Sequence, residues 1–261
     1  MKKIFIMFSV AGTLGLALMS CEKEYERIAV ETNVGSDKAL LKVNFVSQYT
    51  GNPSVQIKLN DVRISNLITA RTPFPGGGFN TGGGSTNDYL AVNPGQSTLK
   101  ISIPNKGTET DSVVLFNTSI TLANSKNYTA HITDTGTNTK ILLLEDSIAQ
   151  PASGKSKYRF VHLMPNVAAA DLYYGTTLVA SNVKYLESSP YFELPIPATA
   201  LAWNVRETLP VGVPIGPVIA TYAANISTSG NRRVYTAFTS GYKGEPAAST
   251  KRPFISFLFN Y

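Results

Sequence analysis

Few side chains in this 261-residue chain are of types that do chemistry at neutral pH, and their spacing limits what they can do. The two histidines are His131 and His162, and the single cysteine is Cys21. His162 precedes a proline turn, with Asp171 further along the chain. As a functional pair these two would be an acid–base couple or part of a metal site. A metal site needs three or four ligands and an acid–base site needs further positioned partners. The expectation is therefore structural, with the imidazole bonding to the turn backbone or to Asp171. His131 interrupts the alternation Tyr128, Ala130, Ile132 and is expected on the opposite, wet face of a strand. The close carboxylate pairs, Glu109/Asp111 and Glu145/Asp146, fall at predicted strand ends rather than across a cleft, as glycoside hydrolysis would require. No Gly-x-Ser-x-Gly elbow occurs. The segment "PFPGGGFNTGGGSTND" (73–88) lacks the Gly-Lys-Ser/Thr ending of a phosphate cradle. It is expected to be a mobile insertion, with Phe74 and Phe79 as candidate ligand-facing side chains. No catalytic residue, metal or cofactor is expected, and the chain is read as a non-enzyme.

Cys21 stands where an apolar run gives way to "EKEYE" (22–26). Lys2 and Lys3 precede fifteen uncharged residues, Ile4 to Leu18, too few to span a bilayer comfortably but laid out as a secretory leader. "LMSC" (18–21) resembles the lipobox of bacterial lipoproteins, with Leu18 and Ser20 in the apolar and small positions and Met19 a looser fit. The resemblance implies cleavage after residue 20, lipid attachment at Cys21, and anchoring by several acyl chains, since one alone holds only marginally. "EKEYE" is similar to the export signals of some Gram-negative surface lipoproteins. It implies an outer-membrane lipoprotein exposed at the cell surface, the alternative being a periplasm-facing one. With no second cysteine the folded part has no disulfide and depends on its cores.

The net charge of +6 becomes +4 once residues 1–20, with Lys2 and Lys3 and no acid, are removed. No basic stripe interleaved with stacking aromatics is present, so nucleic acid is not an expected partner. Charged residues make up 15% of the chain, against roughly 25% in ordinary soluble domains. Tyrosine, phenylalanine, threonine and valine lean the balance towards strands.

From Ala39 onward the pattern has period two: Val55, Ile57, Leu59; Leu99, Ile101, Ile103; Tyr128, Ala130, Ile132. Turn signals at 93–97, 124–127 and 134–139 separate these runs. No amphipathic helix is evident, so the expected class is all-β. The Pro/Gly/Ser-rich stretch around residues 147–157 divides two similar halves. "LKVNFVSQ" (41–48) answers to "YRFVHLMP" (158–165), and "DYLAVNPG" (88–95) to "PYFELPIP" (190–197). "KNYTAHITDTG" (126–136) answers to "RRVYTAFTSG" (232–241), and "KILLLEDS" (140–147) to "FISFLFNY" (254–261). The expected organisation is a leader at 1–20, a lipidated tether at 21–38, a β-sandwich domain at 39–147, a linker at 148–157 and a second sandwich at 158–261. Each unit has the size of an immunoglobulin-like antiparallel sandwich, with a small barrel as the alternative.

"YRFVHLMPNVAAADLYYG" (158–175) resembles the opening of an uncharacterised bacterial family of tandem extracellular β-sandwich domains. That opening reads Arg-Val-x-His-x-Ser-Pro-Asp-Ala-Pro, with Asp-Val-Tyr shortly after. Arg159, His162, Pro165, Asp171 and Tyr173 fall on the pattern, while Met164, Asn166 and Ala168 depart from it. Tyr235, Thr236, Phe238 and Gly241 meet its later Tyr-Thr-x-Phe-x-x-Gly, and the first half matches only through Tyr128 and Thr129. The resemblance implies a sandwich fold and surface residence. It implies no active site.

The remaining candidates lie on loops. "LPVGVPIGPV" (209–218) is apolar and uncharged, suited to covering an edge strand or meeting a partner. Trp203 and the tyrosines at 173, 174, 185 and 191 are expected in the cores rather than stacked on sugar rings. "DSV" (111–113) and "DSI" (146–148) resemble an O-glycosylation acceptor, which makes Ser112 and Ser147 candidate attachment sites in or near loops. The expected function is non-catalytic binding of an extracellular protein or glycan through the sandwich loops, with the membrane engaged through the lipid. A structural component of a cell-envelope assembly is the alternative, and an extracellular hydrolase a second one.

Overall fold

Strands with apolar residues on alternate positions must bury that face, and they do so here in four sheets. The computed structural model describes residues 37–197, 199–210, 212–213, 215–223 and 231–261. The leader, the tether and Cys21 lie outside the described residues. Among the described residues the structure is all-β apart from one short 3-10 turn, Gly136–Asn138.

The first half contains β1 (Ala39–Phe45), β2 (Gln56–Leu59), β3 (Val62–Arg63), β4 (Gly78–Phe79), β5 (Leu90–Val92), β6 (Gly95–Pro104), β7 (Asp111–Leu122), β8 (Asn127–Thr133) and β9 (Lys140–Glu145). One sheet has the order β5-β1-β8-β9 and another β3-β2-β6-β7. Between them Leu41, Val43, Phe45, Ile57, Leu99, Ile101, Ala130 and Ile132 form one buried cluster. Each large side chain buried in this way contributes roughly 1.5–3 kcal/mol.

The second half contains β10 (Lys155–His162), β11 (Ala169–Tyr174), β12 (Thr177–Lys184), β13 (Glu187–Ser188), β14 (Phe192–Pro195), β15 (Trp203–Glu207), β16 (Val218–Tyr222), β17 (Val234–Ser240) and β18 (Phe254–Phe259). β10 starts at Lys155, inside the stretch expected to be linker. A third sheet runs β13-β10-β17-β18-β4, with β14 also on β10, and a fourth runs β12-β11-β15-β16. Trp203 is fully buried between these two sheets, its ring 4.9 Å from Tyr158, 4.6 Å from Tyr174 and 5.2 Å from Phe257.

The halves repeat one another in register. Leu41 pairs with Tyr128 and Leu90 in the first, as Tyr158 pairs with Tyr235 and Phe192 in the second. Tyr128 faces Glu145 as Tyr235 faces Phe259. In both, the first strand runs parallel to the penultimate one while the other pairings in these sheets are antiparallel.

The sheet of β1 and the sheet of β10 also pack on each other. Val46, Leu142 and Leu144 from the first half join Val161, Leu163, Phe238 and Leu258 from the second in a third apolar cluster. Strands β1, β8, β10 and β17 are therefore buried on both faces, and polar residues on their second faces are enclosed rather than wet. His131 is the clearest correction: it does face away from Ala130 and Ile132, but it is fully buried because the second half covers that face.

The glycine-rich segment joins the halves as well. Phe74 exchanges backbone hydrogen bonds with Val43 in the first half, and β4 adds to the edge of β18 in the second. Gly78 makes this approach possible, since a Cβ there would fall on the Phe257 carbonyl. The segment is thus a strap between the halves and not a loose insertion.

Candidate functional site

The polar residues enclosed between the halves include three that the sequence singles out, His131, Asp146 and Arg159. Asp146, fully buried at the end of β9, pairs with Arg159 of β10 and accepts hydrogen bonds from Tyr89 (2.9 Å) and Thr129. Arg159 also donates to the Glu145 carbonyl at 2.9 Å and lies 5.0 Å over the Tyr191 ring. In the repeated position Lys42 donates to the Phe259 carbonyl at 2.5 Å and lies 4.4 Å over the Tyr89 ring. Asn260 occupies the place equivalent to Asp146 and donates to Tyr89 at 2.8 Å. Burial pulls the Lys42 ammonium down to about 8, against the opposing charges of Asp146 and Asp88. Burial also holds His131 well below the usual histidine range, reinforced by the nearby Arg159 and Lys42 charges. The His131 Nδ1 accepts from Asn44 at 3.0 Å, leaving Nε2 without a partner among the described residues. Lys42, Arg159, Asp146, Asn260, Tyr89 and His131 make this a buried seam. It positions the halves.

His162 and Asp171 do not meet. His162 Nε2 donates to the Val167 carbonyl at 2.8 Å and Nδ1 accepts from Thr239 at 3.1 Å, which pins the turn after β10. Burial lowers its pKa, so the ring is neutral where these bonds need it neutral. Asp171 instead accepts from the Asn182 amide (2.7 Å) and the Thr208 hydroxyl (2.6 Å). Among the described residues no three His, Cys, Asp or Glu side chains converge as a metal site requires.

Phe74 packs against the core of the first half and Phe79 against that of the second, its ring 6.0 Å from Tyr235. Ser112 lies exposed within β7, not in a loop, and Ser147 is half-buried with its amide donating to Tyr191 at 3.0 Å. Asp111, the acid beside Ser112, is desolvated, yet bonds from Lys58, Ser102 and Gln56 hold its carboxyl at about 2. In the described part of 209–218, Val213 and Ile215 are exposed.

One open cleft, of about 340 Å³, lies where the halves meet, formed by Gln48, Tyr49, Asn52, Ala70 and Arg71 on one side and residues 247–250, Arg252 and Phe254 on the other. The Gln48 amide donates to the Thr250 and Lys251 carbonyls, 3.2 Å each, tying the two walls together. Arg71 and Arg252 approach the same Phe254 ring, their guanidinium carbons 3.3 and 4.7 Å from its centre. Burial, and then the Arg252 charge, draw Arg71 down to about 10, so it stays cationic at neutral pH. Arg71 has φ +68°, an uncommon conformation for a non-glycine residue. Two backbone bonds hold it there, Arg71 N–H to Phe45 O and Gly82 N–H to Arg71 O, both 2.7 Å. The sequence gives no hint of this pair, because Arg71 and Arg252 lie far apart in the chain and in different halves.

A family model described as "Domain of unknown function (DUF4397)" matches residues 41–173, from β1 through most of β11. The match thus lies on the first half and the opening of the second, whereas the motifs visible in the sequence lie mostly in the second. No curated protein matches the chain. A solved Bacteroides eggerthii structure, titled a "putative cell adhesion protein", has 10% identity and covers 87% of this chain and 97% of its own, with a TM-score of 0.20.

Proposed function

This chain belongs to the DUF4397 family, and from that premise we propose that it is a lipid-anchored surface protein that binds rather than catalyses. In this reading Cys21 carries the acyl chains, residues 21–38 give reach, and two immunoglobulin-like sandwiches present one composite face. It resides in the outer membrane of a Gram-negative bacterium, exposed outward, and its partners are extracellular protein or glycan and the membrane through its lipid. Ser112, exposed on β7, is the better placed of the two glycosylation candidates.

The observation that carries the binding reading is the cleft at the junction of the halves. It is lined from both sides and fixed by buried bonds, so it needs no rearrangement to receive a ligand, which lowers the cost of association. Meanwhile His162, Asp171 and Asp146 are each engaged in bonds that hold the fold.

Three measurements test this. Intact mass of protein extracted from native membranes is expected to show loss of residues 1–20 and added acyl mass. An unmodified thiol at Cys21 would remove the anchor. Protease shaving is expected to degrade the protein on whole cells as readily as in lysates, and protection on whole cells would turn it inward. The purified mature protein is expected to give saturable binding on arrays of glycans and extracellular proteins, diminished by Arg252→Glu. Turnover of a substrate that survives on Arg252→Glu and fails on His162→Gln would replace binding with hydrolysis.

A further inference from the structure

The geometry points to the Arg71–Arg252 cleft as a binding site for an acidic sugar, with the oxyanion of the ligand held between the two guanidiniums; this rests on the binding reading above and names its ligand class. Two guanidiniums stacked on one phenyl ring repel each other, and among the described residues neither is in an ion pair. Glu245, the acid on the same segment as Arg252, accepts from the Ser249 hydroxyl at 2.7 Å and forms no ion pair with Arg252. The donors are only partly used. Arg71 gives one Nη2 to the Asn80 carbonyl (2.6 Å) and side chain (3.4 Å), and its Nε, buried, has no partner among the described residues. Arg252 gives one Nη1 to the Ala247 carbonyl (2.8 Å). The remaining N–H groups of two planar forks, held apart on a rigid ring, suit a carboxylate or a phosphoryl group, which a guanidinium binds by paired hydrogen bonds.

The rest of the wall says what carries that group. The Asn52 side-chain NH2 and the Thr250 hydroxyl offer polar partners, and Ala70, Ala247 and Ala248 offer small apolar surfaces. This is the mixture that a sugar ring presents in return, with polar edges and an apolar face. The volume of about 340 Å³ lies at the low end of small-molecule sites, about 300–1,000 Å³, which fits one sugar unit at a chain end rather than a long polymer.

The test is calorimetric titration of the mature protein, at low salt and into the millimolar range, with D-glucuronate, D-glucose 6-phosphate and D-glucose. The expected result is saturable binding of at least one acid, about tenfold or more tighter than glucose, weakening as salt is raised. The stronger of the two acids then identifies the oxyanion as carboxylate or phosphoryl. Arg252→Ala and Arg71→Gly are each expected to weaken that acid about tenfold. Arg71→Gly is the safer variant for folding, because glycine adopts the φ at residue 71 freely. Glucose binding as tightly as the acids, no binding of either acid, or acid binding unchanged in both variants would overturn the assignment. Array binding without acid binding in the titration would remove this ligand class and leave the binding reading in place. Turnover on a substrate would remove the binding reading whichever way the titration falls.

Discussion

Lys42 and Arg159 stand at the same place in two equivalent units, and each reaches a carbonyl on the other unit's last strand, yet only Arg159 meets a carboxylate there. Where the first half ends in Asp146 the second ends in Asn260, so two buried cations share one buried acid. The surroundings are otherwise alike: a ring beneath each cation, Tyr89 or Tyr191, and a threonine beside it, Thr129 or Thr236. A single change of acid to amide between repeats leaves the Arg159 side a paired, hydrogen-bonded ion and the Lys42 side a cation stabilised by a carbonyl and a ring face. The difference teaches how a duplicated surface becomes a specific one. One acid and one amide make the two sides of the seam chemically different, an ion pair on one and a carbonyl with a ring face on the other.

The comparison is broken most severely at Asp146. Asp146→Ala would leave Arg159 buried without its counter-charge and Tyr89 without its acceptor, an expected loss of about 3–5 kcal/mol. Urea unfolding at pH 7 measures it. A loss below about 1 kcal/mol would mean that the seam does not hold the halves together.

The next test sharpens the Lys42 side. The folded protein releases the Lys42 proton near 8, and the unfolded chain releases it near 10.5. Between those values the unfolded state binds more protons, so this group makes stability rise with pH. Wild type is expected to gain about 2 kcal/mol relative to Lys42→Met between pH 8 and 10. The tyrosines that burial pushes upward act in the opposite direction above pH 10, but both proteins carry them and the difference cancels. Parallel profiles would mean that Lys42 keeps its proton in the folded state throughout.

The all-β class and the repeated strands are legible because alternation records what each residue's own strand must bury. The same four stretches that match in the sequence pair in the same register in both halves. What alternation cannot record is what covers the other face. Lys42, Asn44, Thr129 and His131 look like the wet side of β1 and β8, and all four are buried, because a second sheet of the same chain lies on them. The strap was hidden for a related reason. Glycines at 76–78 signal freedom in a sequence, yet here they allow backbones to approach closely: Gly76 and Gly77 lie against residues 82–88 of the same segment, and Gly78 against Phe257 of the neighbouring strand. Arg71 and Arg252 carry no local pattern at all, since their pairing exists only once the two halves have met.

His131 gives the smallest effect and the finest probe of the seam. Its repeat equivalent is Phe238, which carries no charge at any pH, and the two rings lie 6.2 Å apart. The folded state holds His131 neutral while the unfolded chain protonates it near 6.5, so acidification adds protons to the unfolded state alone. Stability must therefore fall as pH drops below 6.5, by about 1.4 kcal/mol from pH 7.5 to 5.5 for one such histidine. His162, also lowered, adds a slope of the same sign. His131→Gln keeps an acceptor for Asn44 and removes the titration. Its stability difference between pH 7.5 and 5.5 is expected to be smaller than that of wild type by about 1.4 kcal/mol. Because each protein is compared with itself at two pH values, any constant cost of the substitution drops out. An unchanged difference would mean that the imidazole takes up its proton inside the fold, which requires the two sheets to part enough to admit water beside Arg159.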